Sequence, residues 1–519
     1  MQNESISTDT SRARLPRRIH EAFDDWLARD PGRAFLHLPD RVMSFRDLAV
    51  LVDALEHELR SDGTQGGDRI LTVAENCPEH VALVLACSRI GAWSCGVNAR
   101  MAPGEVAGFA DKADARRMYF TTGVSSAAAR HAARYGAGES VLPGLVRSPA
   151  REPGAAPDTA GADIAAIIFT SGTTGAPKGV MVTHDGLQHF GRVSAQARRL
   201  GPDDRSYAYL PMTHIFGLGT VLMASLFAGS GLVMRSQFDP ADVFDALARH
   251  KVSQLQGPPT FFSRLLAHAE DNGIGRPEAP QLRYLYTGAG PLDLGLKRQV
   301  ETRFGLPLHH GYGLSEYAGS VHVTALGEHR EDTSAGTRFE GAESRIAGPE
   351  GQDVAPGERG EIWIRGRGLM AGYFRDAEAT AKVMRPGGWY ASGDLGYLDA
   401  GDALFVVGRI KEMIIRSGFN VYPGEVELAL RGFAGIRAAV VAGRPAEDGN
   451  EEVLAFVILQ PGQTLDRPAL DAWLREQLAP YKRPSQIHVV TEFPMTLSGK
   501  VLKRELLAAL PPDTTPVFS

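Results

Sequence analysis

Apolar and polar positions along this chain follow two periods, one of helices and one of strands, and the two alternate. Ile19, Ala22, Phe23 and Leu27 recur at helical spacing, as do the apolar positions from Phe45-Arg46-Asp47-Leu48 to about Arg60, so both stretches are predicted helices with one buried face. Residues 68–73 read as a strand and residues 79–90 as a helix that Gly91 ends. The most apolar run, residues 81–97, is cut by Arg89 and Gly91, which makes it a core helix and a following strand rather than a membrane span. Downstream, Asp239-Pro240 supplies an N-cap and a first-turn proline for a helix carrying Val243, Phe244 and Leu247 on one face. Residues 282–286 and 308–310 read as strands that each run into a glycine-bearing turn, and a helix to about Phe304, stopped by Gly305, separates them. The alternation predicts an α/β fold, a large layered N-terminal domain on mostly parallel sheets.

Past residue 340 the pattern shortens. Residues 361–365, 404–407 and 413–415 read as short strands, and from about Ile410 the segments run β, α, β, β, α, β before a Leu-rich helix over residues 501–510. Residues 412–519 are therefore expected to form a small α+β domain, residues 17–409 the large one, and residues 1–16, polar with no apolar centre, a disordered tail. A chain of 519 residues is also too long for one core. Residues 147–163 are a surface loop by composition. A net charge of -6 with 22% charged residues offers no basic surface for nucleic acid. Cys77, Cys87 and Cys95 cannot make a disulfide framework, no secretory signal opens the chain, and the expected compartment is cytoplasmic.

Candidate chemistry concentrates where the apolar run 164–169 enters Thr170-Ser171-Gly172-Thr173-Thr174-Gly175-Ala176-Pro177-Lys178-Gly179. Glycines let backbone N–H groups converge on an anion, the hydroxyls add donors, and Lys178 adds a point charge suited to phosphate. This is a phosphate cradle but not the Walker pattern, because no Gly-Lys-Ser/Thr closes it into a helix. Open α/β sheets bind ligands beyond the carboxyl ends of their parallel strands. The turns Thr287-Gly288-Ala289-Gly290-Pro291 and Gly311-Tyr312-Gly313-Leu314-Ser315-Glu316 occupy such places, so three loops are expected to meet at one crevice.

The glycine-rich string resembles the signature loop of the adenylate-forming superfamily: acyl-CoA synthetases, aryl-CoA ligases, peptide-synthetase adenylation domains and beetle luciferases. Five motifs in the family's order carry the resemblance from about residue 20 to residue 505. It implies ATP, Mg²⁺ and coenzyme A as partners in a two-step reaction through acyl-AMP, since a carboxylate must be activated before a thiol can displace its oxygen. Thr170 to Lys178 would hold the β- and γ-phosphates, and Glu316 looks like the Mg²⁺ carboxylate. Ser315 would bond the α-phosphate, and Tyr312 would pack on adenine, with Gly288, Ala289 and Gly290 allowing close backbone approach and Gly311 and Gly313 in the same nucleotide-binding set. Asp394, in Gly388-Trp389-Tyr390-Ala391-Ser392-Gly393-Asp394-Leu395, resembles the ribose-binding carboxylate, and Arg409 would lie near ribose and phosphate. Lys500, in Pro494-Met495-Thr496-Leu497-Ser498-Gly499-Lys500, occupies the place of the adenylation lysine. Lys411 matches the family's hinge, which makes residues 410–411 the pivot of a mobile small domain. After its rotation Ser417, Gly418 and Phe419 would face the CoA channel, where Phe419 stands in place of a smaller residue.

Leu210-Pro211-Met212-Thr213-His214-Ile215-Phe216-Gly217 resembles the segment lining the family's acyl site. With Tyr317, Ala318 and Gly319 it implies a largely apolar pocket for a medium-chain fatty or an aromatic acid, and no acidic residue there awaits an amino group. Gly366-Arg367-Gly368-Leu369-Met370-Ala371 fits a dinucleotide fingerprint without the helix that should follow. His184, His309 and His310 lack partners at metal-ligand spacing and read as packing or surface residues. The expected activity is an ATP-dependent acid:CoA ligase. The alternatives are an adenylation enzyme loading a carrier protein in trans, and a nucleotide-binding pseudoenzyme. A homodimer is compatible with either enzyme.

Overall fold

The computed structural model describes residues 18–170, 178–416, 419–446, 450–495 and 501–510; the N-terminal tail expected over residues 1–16 lies outside these. Strands Arg69–Ala74 and Trp93–Asn98 are buried at every position, as strands covered on both faces must be. They pair in parallel with each other and with Arg117–Phe120 and Ile164–Thr170, inside an eight-stranded sheet. A second, nine-stranded sheet carries a parallel run of Gly231–Met234, Arg205–Ala208, Gln254–Gly257, Tyr284–Thr287 and Leu308–Leu314.

Helices Phe45–Ser61, Pro78–Ile90 and His184–Ala197 fill the space between the sheets, where one core joins Leu83 and Leu187 to Ile168 and Val180 of the first sheet and Leu232 and Tyr286 of the second. Pro78–Ile90 is apolar nearly all round because both sheets cover it, and Gly91 ends it at φ +78°. The outer faces are covered by Pro103–Ala113 and Ser126–Arg134 on one side, and by Pro240–Arg249, Pro259–Asp271 and Leu294–Phe304 on the other. The expected punctuation is present: the Asp239 side chain accepts from Ala241 N at 3.0 Å, and Gly305 closes its helix at φ +67°. No helix of the described residues is long and apolar enough to cross a membrane.

A five-stranded sheet built on Ala342–Ala347, Gly360–Gly366 and Trp389–Leu398 follows, with Leu404–Arg409 on the flank of the last. Beyond it a smaller body has its own core of Val426, Leu430, Val441, Val457, Leu470 and Leu474. It contains the three-stranded sheet Ile436–Pro445, Glu451–Leu459 and Gln486–Val489, with a hairpin, Ile414–Arg416 and Phe419–Val421, where a single first strand was expected. The closing helix is shorter than predicted, Lys503–Ala508.

Two expectations change. Where mostly parallel pairing was expected, Ile164–Thr170 pairs antiparallel with the next strand, Lys178–Thr183, with Thr170 opposite Lys178. The strand expected over residues 308–310 runs on to Leu314 and pairs with Gly319–Val323, so Gly311 to Leu314 are strand rather than turn. Glycine makes that pairing sterically possible. A Cβ on Gly313 would lie 2.3 Å from the Gly319 carbonyl oxygen and 2.5 Å from Ser320 Cα. Both obstacles are backbone, so Gly313→Ala should cost about 1–3 kcal/mol, read as a lowered thermal midpoint. An unchanged midpoint would mean that the hairpin opens without penalty.

Candidate active site

Three strands deliver side chains to one place. Trp389–Leu398 and Leu404–Arg409 pair so that Asp394 and Arg409 lie opposite each other, and Arg409 Nε sits 2.9 Å from Asp394 Oδ1. Tyr312, on the strand extension after His310, donates its hydroxyl to Asp394 Oδ2 at 2.7 Å. Burial, then the charge of Asp394, pushes the Tyr312 phenol well above its usual pKa, so it remains a donor. Asp394 is 6% exposed, and a buried carboxylate needs such partners. Each of its oxygens keeps a further lone pair for a ligand.

A second group lies around Glu316. Tyr373 donates its hydroxyl to Glu316 Oε1 at 2.9 Å, and the Lys178 ammonium sits 4.6 Å from the centre of the Tyr373 ring. Tyr390 places its hydroxyl 3.4 Å from that of Tyr373. Burial and the nearby Glu316 charge raise both phenols, which keeps them protonated beside the carboxylate. Lys178 and Glu316, far apart in sequence, are therefore brought together by an aromatic ring that sequence reasoning passed over. Tyr390 was within a segment already singled out for Asp394, whereas Tyr373 carried no local signal.

Two turns nearby hold non-glycine residues in the left-handed region, Ala289 at φ +62° and Ala318 at φ +56°, the kind of strain that clusters at ligand sites. Gly288 packs tightly, since a Cβ there would lie 3.0 Å from the Tyr286 hydroxyl, and Gly290 faces Pro259. Ser315 opens a short 3₁₀ turn, Ser315–Tyr317, and is buried.

Beyond these turns lies a cavity of about 360 Å³ whose walls include Arg198, Thr220, Tyr286, Ser320, Val323 and Phe339. The Tyr286 and Ser320 hydroxyls are 3.0 Å apart. Phe216 stands edge-on to Tyr286, with ring centres 5.8 Å apart, at the start of a π-helix, Phe216–Met223, a form enriched at functional sites. Gly217 lies in that helix against Pro211, whose carbonyl oxygen a Cβ would meet at 2.2 Å. Buried Ile215 precedes it, and His214 accepts from Phe216 N at 3.2 Å; neither is a wall of the cavity. Gly319 adjoins the wall residue Ser320 and packs on Phe190. Tyr317 is not a wall of this cavity either. Its ring joins a different cluster with Val321, Ile362 and Ile364, and its hydroxyl donates to the Gly341 carbonyl at 3.3 Å. Chain direction decides this, because Ala318 in the left-handed region turns the strand between Tyr317 and Ser320.

Ser171, Gly172, Thr173, Thr174 and Gly175 of the phosphate loop, Ser417 and Gly418 of the expected channel, and Lys500 lie outside the described residues. Lys411 is in the 3₁₀ turn Ile410–Glu412, immediately after Arg409. Phe419 is 54% exposed and stacks on Tyr481 with ring centres 4.5 Å apart. The glycines of residues 366–371 open no helix, and Gly368 packs on the Tyr317 ring instead.

Comparison with known proteins gives the same two-part layout. A family model described as AMP-binding enzyme matches residues 23–374, and one described as AMP-binding enzyme C-terminal domain matches residues 425–500. A feruloyl-CoA synthase from an Amycolatopsis species is 34% identical over 472 residues, 89% of this chain and 93% of that protein. An indoleacetate–CoA ligase from Aromatoleum aromaticum is 31% identical over 515 residues, 93% of this chain and 98% of that protein. Among solved structures, ATP-bound MatB from Rhodopseudomonas palustris matches with a TM-score of 0.82 at 26% identity, covering 94% of this chain and 98% of that one.

The histidines around the site are packing groups. His184 is fully buried and accepts from Ile19 N at 3.2 Å, and His309 stacks on Tyr284 with ring centres 4.8 Å apart. His310 is held by the Thr333 carbonyl at 3.0 Å. Burial lowers His214, His309 and His322 to about 4 and His184 to about 3. Unfolded histidine titrates near 6.5, so between these values the unfolded chain binds more protons and stability rises with pH. The thermal midpoint should therefore fall steadily as pH drops from about 6.5 toward 4. A flat profile across that window would mean that these imidazoles reach solvent.

Proposed function

The chain belongs to the AMP-binding enzyme family and is an acid–thiol ligase, and from this premise we propose that it converts an aromatic or medium-chain carboxylic acid to its CoA thioester through acyl-AMP. The observation that carries the reading is the pairing of Asp394 with Tyr312 and Arg409 beside the group of Lys178, Glu316 and Tyr373, near enough for the Glu316 charge to act on Arg409. An attacking carboxylate and a triphosphate are both anions, so the site must gather positive charge and fixed donors at the α-phosphate. Asp394 would accept the ribose hydroxyls, its oxygens oriented by Tyr312 and Arg409. The Tyr312 ring would flank adenine beside the close-packed backbone of Gly288 to Gly290. Lys178 and the Thr170–Gly175 loop would hold the β- and γ-phosphates, and Ser315 the α-phosphate.

Glu316 is the residue that would hold Mg²⁺. Its Oε1 accepts from Tyr373, and Mg²⁺ normally takes only one or two protein carboxylates beside phosphate and water, so a single carboxylate here fits the ion. When bound, the ion supplies charge neutralisation at the phosphates. In the first half-reaction the substrate carboxylate oxygen bonds to the α-phosphorus and pyrophosphate leaves. In the second, the thiol loses its proton, its sulfur bonds to the acyl carbon, and AMP leaves.

Lys500, on the small domain, would bridge carboxylate and α-phosphate in the first step. Rotation about residues 410–411 would then withdraw it and bring Ser417, Gly418 and Phe419 to the thiol path, a gating motion rather than chemistry. The aromatic walls Tyr284, Tyr286 and Phe339 favour an aromatic acid, as does likeness to proteins named for feruloyl and indoleacetate substrates.

The test is pyrophosphate release from ATP and Mg²⁺ across aromatic and medium-chain acids, with and without CoA, for the native chain and Lys500→Ala. One acid class should turn over, with CoA accelerating it to a thioester. The variant should lose about 100-fold or more in adenylate formation while still making thioester from preformed acyl-AMP. Pyrophosphate release indifferent to CoA would reassign the acceptor to a carrier-protein thiol. Silence across the panel without ATP binding would overturn the enzyme reading.

A further inference from the structure

Three arginines of the described residues are less than 10% exposed: Arg69, Arg198 and Arg235. Arg69 pairs with Asp114 at 3.2 Å and Arg235 with Asp242 at 2.8 Å. Arg198 has no carboxylate within 4.0 Å among the described residues, and Asp204, whose charge reaches it, is held by Arg283 at 2.5 Å. A buried charge without a counter-ion is costly, and proteins seldom retain one without a use for it. Burial lowers the Arg198 guanidinium to about 10, which still leaves it cationic at neutral pH.

Arg198 follows helix His184–Ala197 and folds back over its end. Nε donates to Ser194 O at 3.0 Å, Nη2 to Ser194 Oγ at 3.1 Å and Thr220 O at 2.7 Å, and Nη1 to Gln254 Oε1 at 3.2 Å. These contacts fix the side chain and use four of its five N–H groups, but carbonyl, hydroxyl and amide dipoles do not neutralise it. The surplus of donors extends to its neighbour: Gln254 is fully buried and its amide nitrogen has no acceptor. Arg198 is at the same time a wall of the cavity that Thr220, Tyr284, Tyr286 and Ser320 line. A fixed cation therefore borders the space in which the acid's far end would lie, and the fully buried Gln254 amide holds it from behind.

We propose that the acid activated by this chain carries a second anionic oxygen group, a carboxylate in its best substrates, distal to the reacting carboxyl, and that Arg198, held in place by Gln254, receives it in the cavity. The inference rests on the ligase reading above and narrows its substrate class to acids with a charged far end. Arg198 is then a specificity-determining residue, because its uncompensated charge rejects analogues that end in a methyl group.

Equilibrium binding to the full chain separates the two claims. The probes are acyl sulfamates of adenosine, stable mimics of acyl-AMP, built on one aromatic skeleton ending in carboxylate, hydroxyl or methyl, with unacylated adenosine sulfamate as the reference. The native protein should bind the carboxylate probe about tenfold or more tighter than the methyl probe. Arg198→Met should erase that preference while leaving the reference affinity unchanged, and Arg198→Lys should retain part of it. An unchanged reference affinity also shows that the variants are folded. Equal, tight binding of the three probes, or a preference that survives in Arg198→Met, overturns this proposal and leaves the ligase reading standing. A preference for the hydroxyl probe overturns the anionic claim. If no acylated probe binds better than the reference, the acyl-AMP reading fails and takes this proposal with it.

Discussion

A carboxylate taken almost out of water needs partners on both oxygens, and Asp394 draws its two from separate parts of the chain. Tyr312 comes from a strand of the nine-stranded sheet that is paired on both sides, and Arg409 from the last residue of the strand that precedes the turn Ile410–Glu412. If either moved, the carboxylate would lose an anchor worth more than an ordinary surface pair, because its surroundings screen little. The close approach of Gly311 and Gly313 to neighbouring backbone serves this contact, since it allows the strand to continue past His310 and carry Tyr312 to Asp394. The same contact fixes the exit of the chain toward the small body, so the proposed nucleotide site and the proposed pivot would share one residue pair.

Charge pairs reach across that pivot in the arrangement described here. Glu425 of the small body is engaged by Arg359 of the large one, and Arg431 of the small body lies 3.4 Å from Asp293 of the large one. These are partly exposed pairs, each worth on the order of 1 kcal/mol or less. That weakness suits a domain that would change orientation between two half-reactions, because such contacts can be exchanged at little cost.

The layered α/β architecture was legible wherever local rules were obeyed. Asp239 and Gly305 bound their helices as caps, and the run 81–97 divides into helix and strand at Gly91 because no L-residue takes that turn cheaply. Asp394 and Arg409 were legible as a pair only through the order of their motifs, whereas the fold shows them opposite each other on adjacent strands. What escaped depended on contacts distant in sequence. Tyr373 meets Glu316 across 57 positions, and Arg198 is unusual only for a carboxylate that is not beside it. The direction of Tyr317 turned on one alanine in the left-handed region, which composition does not reveal.

The central claim is that a carboxylate oxygen attacks the α-phosphorus of ATP in the site held by Asp394, Tyr312 and Arg409. Isotope transfer tests it most directly. An acid labelled with ¹⁸O in both carboxylate oxygens is turned over with ATP, Mg²⁺ and CoA, and the AMP and pyrophosphate are weighed by mass spectrometry. The account predicts one ¹⁸O atom in each AMP and none in pyrophosphate, because the bridging oxygen of acyl-AMP leaves with the nucleotide. Label in pyrophosphate or inorganic phosphate, or thioester formed with unlabelled AMP, would contradict it.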